Sequence, residues 1–174
     1  MIDQEELIFT VDENNIPIRA VLRTEAHKKG VWHRTTDIVV INTRKDILCN
    51  KRSMLKDTGP GMWDCSFGGH IEPLMDPFVG AIRELQEESG LEIDKNNLKF
   101  IEIFKHAQGN NKEFRYFYVY HWDGDVNQLN YEKDEISQLR WFSINKLREE
   151  IIDKKKWSPA PYFDKLNEYI TQLI

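Results

Sequence analysis

Apolar residues recur along this chain at two periods, and turn residues mark where the period changes. Residues 6–11 and 16–22 are short apolar runs on either side of Asp12-Glu13-Asn14-Asn15, which predicts an N-terminal β-hairpin. Residues 24–30 fit either one helical turn or a loop. The β-branched run at 35–42 predicts a buried strand, and 47–52 its partner across the turn at 43–46. Gly59-Pro60-Gly61 makes 56–63 a loop, and 65–69 a short strand that enters a glycine turn. Asp76 then suits an N-cap, with Pro77 at the first position of a helix that ends at Gly90. Residues 98–106 and 113–122 predict a second hairpin around 108–111, both of its faces partly covered. A brief strand at 138–142 leads to Ser143, which can cap a helix through Glu150. Pro161 starts a last amphipathic helix over 162–173, with Phe163, Leu166, Tyr169, Ile170 and Leu173 on its packed side. This order predicts an α/β fold, a mixed sheet with helices on both faces.

The chain has 174 residues without repeats, low-complexity stretches or linkers, which predicts a single domain over 1–174. Its net charge is −5, and Lys154-Lys155-Lys156 is the one basic block, so a broad nucleic-acid surface is not expected. No apolar run approaches ~20 residues, so no transmembrane helix is expected. The acidic start, Met1 to Glu6, lacks a signal-peptide pattern. Cys49 and Cys65 have no metal-ligand spacing and fit a reduced, cytoplasmic setting. Cys49 reads as a small core residue, and Trp32, Trp63, Trp122 and Trp157 read as core.

The central helix carries the chemistry. Glu84, Glu87 and Glu88 stand at i, i+3 and i+4, which puts three carboxylates on one face. Ala81, Ile82 and Leu85 form the apolar stripe beside them. Like charges at this spacing repel, and they crowd the helix end where the macrodipole disfavours anions. A hard divalent cation would offset both penalties. A solvated acidic face with Arg83 paired to Glu87 is the other reading of the same residues.

Gly69, Arg83, Glu84, Leu85, Glu87, Glu88, Gly90 and Leu91 together resemble the Nudix box, G-x5-E-x7-R-E-U-x-E-E-x-G-U, where U is bulky and apolar. One position departs: the box has Glu where this chain has Met75, preceded by Leu74. Glu72 and Asp76 lie close enough in sequence to substitute. The resemblance implies an α/β/α sandwich, and a hydrolase that cleaves a nucleoside diphosphate derivative by attack of water on phosphorus. It implies Mg2+ or Mn2+ held by Glu84, Glu87 and Glu88, with the backbone of Gly69 near the metal. Arg83 would orient Glu84 or Glu87. The base is either a box glutamate or Glu135, in the loop before Trp141. Arg44, Lys51 and Arg52 are phosphate candidates, Lys51 and Arg52 because they close a strand that faces the box in this fold, with Arg52 preferred. The partner is then a small nucleotide or diphosphate substrate, and a homodimer is left open.

Ala26-His27, Trp32-His33, Lys51-Arg52-Ser53, Pro60-Gly61-Met62-Trp63 and Gly69-His70 also resemble the isopentenyl-diphosphate isomerase branch of the same fold. There, histidines placed like His27, His33 and His70 hold a metal with glutamates of a later strand. Glu113 matches one of these; the second falls at Arg115, which cannot ligate a cation. The isomerase's catalytic cysteine falls at Gly68, and Cys65, three residues earlier in a strand, points to the opposite face. Taken singly, His27, His33 and His70 read as surface or core hydrogen-bonding residues. Two alternatives to the hydrolase therefore stand: an isomerase-like enzyme, and a nucleotide-binding module with little turnover, motivated by Met75.

Overall fold

The structure, a computed structural model, describes residues 6–56 and 58–172. The first five residues, part of the acidic start, and Leu173, expected on a packed helix face, lie outside the described residues. β1 (Leu7–Val11) and β2 (Pro17–Leu22) form the N-terminal hairpin, with a register shift at Thr10/Val11. Residues 23–29 are helical rather than a loop: α1 (Arg23–Lys29) ends at Gly30. β3 (Trp32–Ile41), β4 (Asp46–Arg52) and the two-residue β5 (Trp63–Asp64) follow. α2 (Pro77–Ser89) precedes the β6 (Leu98–Gln108) and β7 (Asn111–His121) hairpin. β8 (Ile136–Ser143), α3 (Ile144–Glu150) and α4 (Phe163–Gln172) complete the chain.

These strands make one mixed sheet. β3 lies parallel to β7 over a continuous register from Trp32↔Lys112 to Ile41↔His121, and antiparallel to β1 and β4. β6 flanks β7, and β8 flanks β4. The period of two along β3 splits the core. Val39 and Ile41 pack with Cys49, Phe117 and Val119 beneath Leu147 of α3 and Leu166 and Ile170 of α4. Ile38 and Val40 pack with Leu48, Tyr118 and Tyr120 beneath Ala81 and Leu85 of α2. The result is an α/β/α sandwich. Trp157 is fully buried and stacks on Trp63, centroids 6.1 Å apart. Trp122 stacks on Trp141, while Trp32 is half-buried under the Lys105 ammonium, 4.6 Å from its ring centroid.

One expected strand needs correction. Residues 65–69 do not form a regular ladder; Phe67 makes a single bridge to Ile38 of β3, and the next bridge, Thr35↔His70, lies just past the segment. Gly68 interrupts the pairing at φ 142°, and a Cβ there would sit 2.1 Å from the Thr36 carbonyl oxygen. The chain can pass so close to β3 only because this residue has no side chain.

Candidate active site

α2 presents the acids. Asp76 accepts from the Phe78 and Val79 amides at 2.9 and 3.4 Å, Pro77 takes the first position, and Gly90 closes the helix. With Leu85 and Ala81 anchored on the sheet, Glu84 and Glu88 turn toward the Gly68-Gly69 turn. Glu88 accepts a hydrogen bond from the Gly68 amide at 2.9 Å. Burial pushes its carboxyl up to about 8 against that bond, and the charges of Glu84 and Glu135 add to the rise. Burial also raises the Glu84 carboxyl, partly countered by Arg83. The side chain of Glu87 is more than half exposed, at 58%.

Arg83 is the brace. Its guanidinium pairs with Glu72, with Glu84 at 2.9 Å and, more loosely, with Glu87 at 3.7 Å. Glu72 thus supplies a carboxylate on Arg83 from a position earlier than the one Met75 holds. Met75 packs toward Gly80 of α2, and Asp76 serves as the helix cap. A Cβ on Gly69 would lie 2.5 Å from Glu84 Oε2, so the carboxylate runs directly over the Gly69 backbone. Two half-buried carboxylates, both with a raised proton affinity, face the Gly68-Gly69 turn and can offer oxygen ligands to a divalent cation, although Glu87 stays more exposed, and among the described residues only the histidines below bring three potential ligand atoms close together.

Glu135 reaches this cluster from the loop before β8. Its carboxylate pairs with the Lys56 ammonium, and its backbone carbonyl accepts from the Ser53 amide at 2.8 Å. Arg52 donates from Nε to the Thr58 carbonyl at 2.9 Å, which ties it to its own loop. Lys51 pairs with Trp63 in β5 and accepts from Ser137 at its carbonyl. Arg44 turns to Asp46, 3.1 Å away at the 43–46 turn.

The histidines are brought together rather than dispersed. His27 of α1, His33 of β3 and His70 after the glycine turn have ring centroids 5.1, 5.2 and 5.3 Å apart, and one ligand atom from each lies within 4.8 Å of the others. His33 Nδ1 lies 3.1 Å from the Val31 carbonyl, so that nitrogen carries the proton and donates. His33 Nε2 then bears the lone pair; it is buried without a hydrogen-bond partner, 3.8 Å from Glu113. Burial, and next the neighbouring His70, push the His33 imidazole down to about 4. Three imidazoles and a carboxylate can hold a transition metal. Arg115 occupies the second glutamate's register position; it pairs with Glu113 at 2.8 Å and Asp37 at 3.4 Å. Cys65 is buried in the opposite core, 3.3 Å from the Tyr162 hydroxyl, and burial pushes its thiol up.

The chain matches the NUDIX domain family over residues 31–165. It is 32% identical over 151 residues to an uncharacterized Nudix hydrolase of Clostridium acetobutylicum, covering 83% of this chain and 73% of that protein. It is 27% identical over 144 residues to isopentenyl-diphosphate Delta-isomerase 2 of Photorhabdus laumondii, covering 83% of this chain and 81% of that protein. Its fold matches a crystal structure of a Deinococcus radiodurans protein with a TM-score of 0.77 at 21% identity, covering 94% and 98% of the two chains.

Proposed function

Since this chain belongs to the Nudix family, we propose that it is a divalent-metal-dependent pyrophosphohydrolase that cleaves a nucleoside diphosphate derivative by attack of water on phosphorus. The observation that carries the proposal is the pair of half-buried carboxylates, Glu84 and Glu88, closed over the Gly68-Gly69 turn. Glu84, Glu87 and Glu88 would hold Mg2+ or Mn2+ beside the Gly69 backbone. The ion would neutralise pyrophosphate oxygens and lower the pKa of water. Arg83, anchored by Glu72, holds Glu84 in place. Glu135 stands within electrostatic reach of Glu88 and is the preferred base outside the helix. Lys51 and Arg52 lead into the loop that carries Lys56 and are assigned to the substrate's phosphates. The Arg83–Glu72 pair speaks against the reading as a turnover-poor module, because Arg83 keeps a brace without a glutamate at Met75.

The histidine cluster favours a second reading, an isomerase-like enzyme. Against it, no thiol is available at Gly68, where a Cβ would collide with Thr36, and Cys65 lies in the other core. The test is a panel of nucleotide sugars, dinucleotides and nucleoside diphosphates with Mg2+ or Mn2+, assayed for released nucleoside monophosphate. Glu87→Gln and Glu88→Gln are expected to abolish release; unchanged turnover in both would remove the metal assignment. Isopentenyl diphosphate should yield no dimethylallyl product.

A further inference from the structure

β7 carries an arginine whose neighbours use only one of its nitrogens. Glu113 and Arg115 point to the same face of β7, and His33 and Asp37 to that face of β3, because the parallel register sets Thr35 beside Arg115. Arg115 Nε lies 2.8 Å from Glu113 and 3.4 Å from Asp37. Asp37 is buried; one of its oxygens accepts from the Ser66 hydroxyl at 3.3 Å, and the other has no hydrogen-bond partner. Both carboxylates thus face one nitrogen, which has a single proton to give. The two terminal amino groups of Arg115 make no hydrogen bond among the described residues, and neither is sealed from solvent. The guanidinium is fixed at its back and open at its front.

The position ties Arg115 to the candidate active site. Glu113 lies 3.8 Å from His33 Nε2, and His33 clusters with His70, the residue after Gly69. Asp37 follows Thr36, whose carbonyl oxygen a Cβ at Gly68 would meet. Arg115 and the acids of α2 are therefore linked to the same Gly68-Gly69 turn, Arg115 through the β3–β7 seam and the acids through the helix. The charges of Arg115 and Arg52 also act on one carboxylate, Asp64, so the two guanidiniums share a neighbourhood.

We propose that Arg115 binds substrate: its two amino groups take phosphate oxygens in a bidentate contact, while Glu113 and Asp37 hold Nε. The inference rests on the hydrolase reading above and adds a substrate contact to it. A guanidinium matches two oxygens of a phosphate with parallel N–H bonds, and such charge-assisted bonds are strong. Lysine could not do both jobs, because its ammonium is a single point that Glu113 and Asp37 would draw inward.

The experiment is calorimetric binding of inorganic pyrophosphate with saturating Mg2+, for the wild type, Arg115→Lys and Glu88→Gln, each checked for folding by circular dichroism. Arg115→Lys keeps the positive charge between Asp37 and Glu113. It is expected to fold and to weaken binding by about tenfold or more, the scale of one charge-assisted contact. A second measurement needs no variant. Phenylglyoxal, which adds to the amino nitrogens of arginine, should modify Arg115 in the wild type, and pyrophosphate should slow that modification while leaving exposed Arg148 unaffected. A wild type that binds no pyrophosphate overturns the inference, as does a folded Arg115→Lys that binds it as tightly, or modification of Arg115 that pyrophosphate does not slow. If Arg115→Lys does not fold, the phenylglyoxal result decides alone. Pyrophosphate binding left unchanged by Glu88→Gln would remove the metal assignment and not the role of Arg115; binding left unchanged by Arg115→Lys would remove only this inference.

Discussion

Glu88→Gln should remove most of the pH dependence of stability above neutrality in metal-free buffer. The Glu88 carboxyl keeps its proton to about pH 8 in the folded chain, mainly because it is buried, against an ordinary value of 4.5. Between those values the folded chain binds a proton that the unfolded chain has released. Its stability is therefore full below pH 4.5 and is lost as pH rises toward 8. Other groups shift too: burial raises Asp64 and lowers His27 and His121. Asp37, pushed up to about 6 by burial, has finished its effect by then. His33, pushed down to about 4, acts with the opposite sign, and its effect is complete above its ordinary 6.5. These groups are common to both proteins, so the difference between the wild type and Glu88→Gln from about pH 6.5 to 8 isolates Glu88; at 1.36 kcal/mol per unit it holds roughly 2 kcal/mol. For a chain of this size that is roughly 4–8 °C in Tm. Thermal or urea unfolding in EDTA at pH 6.5, 7, 7.5 and 8 reads it directly. The wild type should lose roughly this much more stability over the range than Glu88→Gln, whose glutamine keeps an acceptor for the Gly68 amide. Saturating Mn2+ should also flatten the wild-type profile, since the ion binds the ionised carboxylate. Parallel slopes for the two proteins in EDTA would refute the reasoning.

Gly68→Cys, which places a thiol at the isomerase position, should destabilise the fold by about 3 kcal/mol or more in urea unfolding, because its Cβ meets the Thr36 carbonyl at a positive φ. It should gain no isomerase product; a stable variant that isomerises would restore the isomerase as the better reading. Glu72→Gln should lower kcat about tenfold with little change in KM, because it loosens Arg83 rather than a substrate contact. Met75→Glu should stay within about twofold of the wild type, since Glu72 already braces Arg83; a large rise in rate would show that the brace is incomplete. Cys65→Ser should leave turnover unchanged in the same nucleotide assay, and lost activity in a folded protein would place the thiol in the chemistry.

Much of the framework was legible because its signals are local. Asp76, Pro77 and Gly90 bracket α2 within a few residues of its observed ends, and both hairpins follow from turn clusters between apolar runs. The three acids share a helix face by spacing alone. What was missed depends on contacts between distant segments. The histidines come from α1, β3 and the glycine turn; only the isomerase resemblance pointed to their convergence, because it depends on how those elements dock. Glu72 was only one of two substitutes for the box glutamate until the turn after it, with Leu74 at φ 65°, set its carboxylate against Arg83. Lys56 gave no signal, because the residues before it look more suited to burial than it does. The strand expected at 65–69 failed at one residue: its composition suits a ladder, but Gly68 kinks out of it.

The parallel seam between β3 and β7 has a consequence for how the protein is made. Trp32 is paired with Lys112, so the middle of the sheet stays open until roughly eighty further residues have left the ribosome. Until then the nascent chain exposes Ile38, Val39, Val40 and Ile41, a β-branched stretch prone to pairing with other chains. Slow translation or heat shock during that interval should drive newly made protein into inclusion bodies, while the finished protein, with that seam closed, should tolerate the same heat.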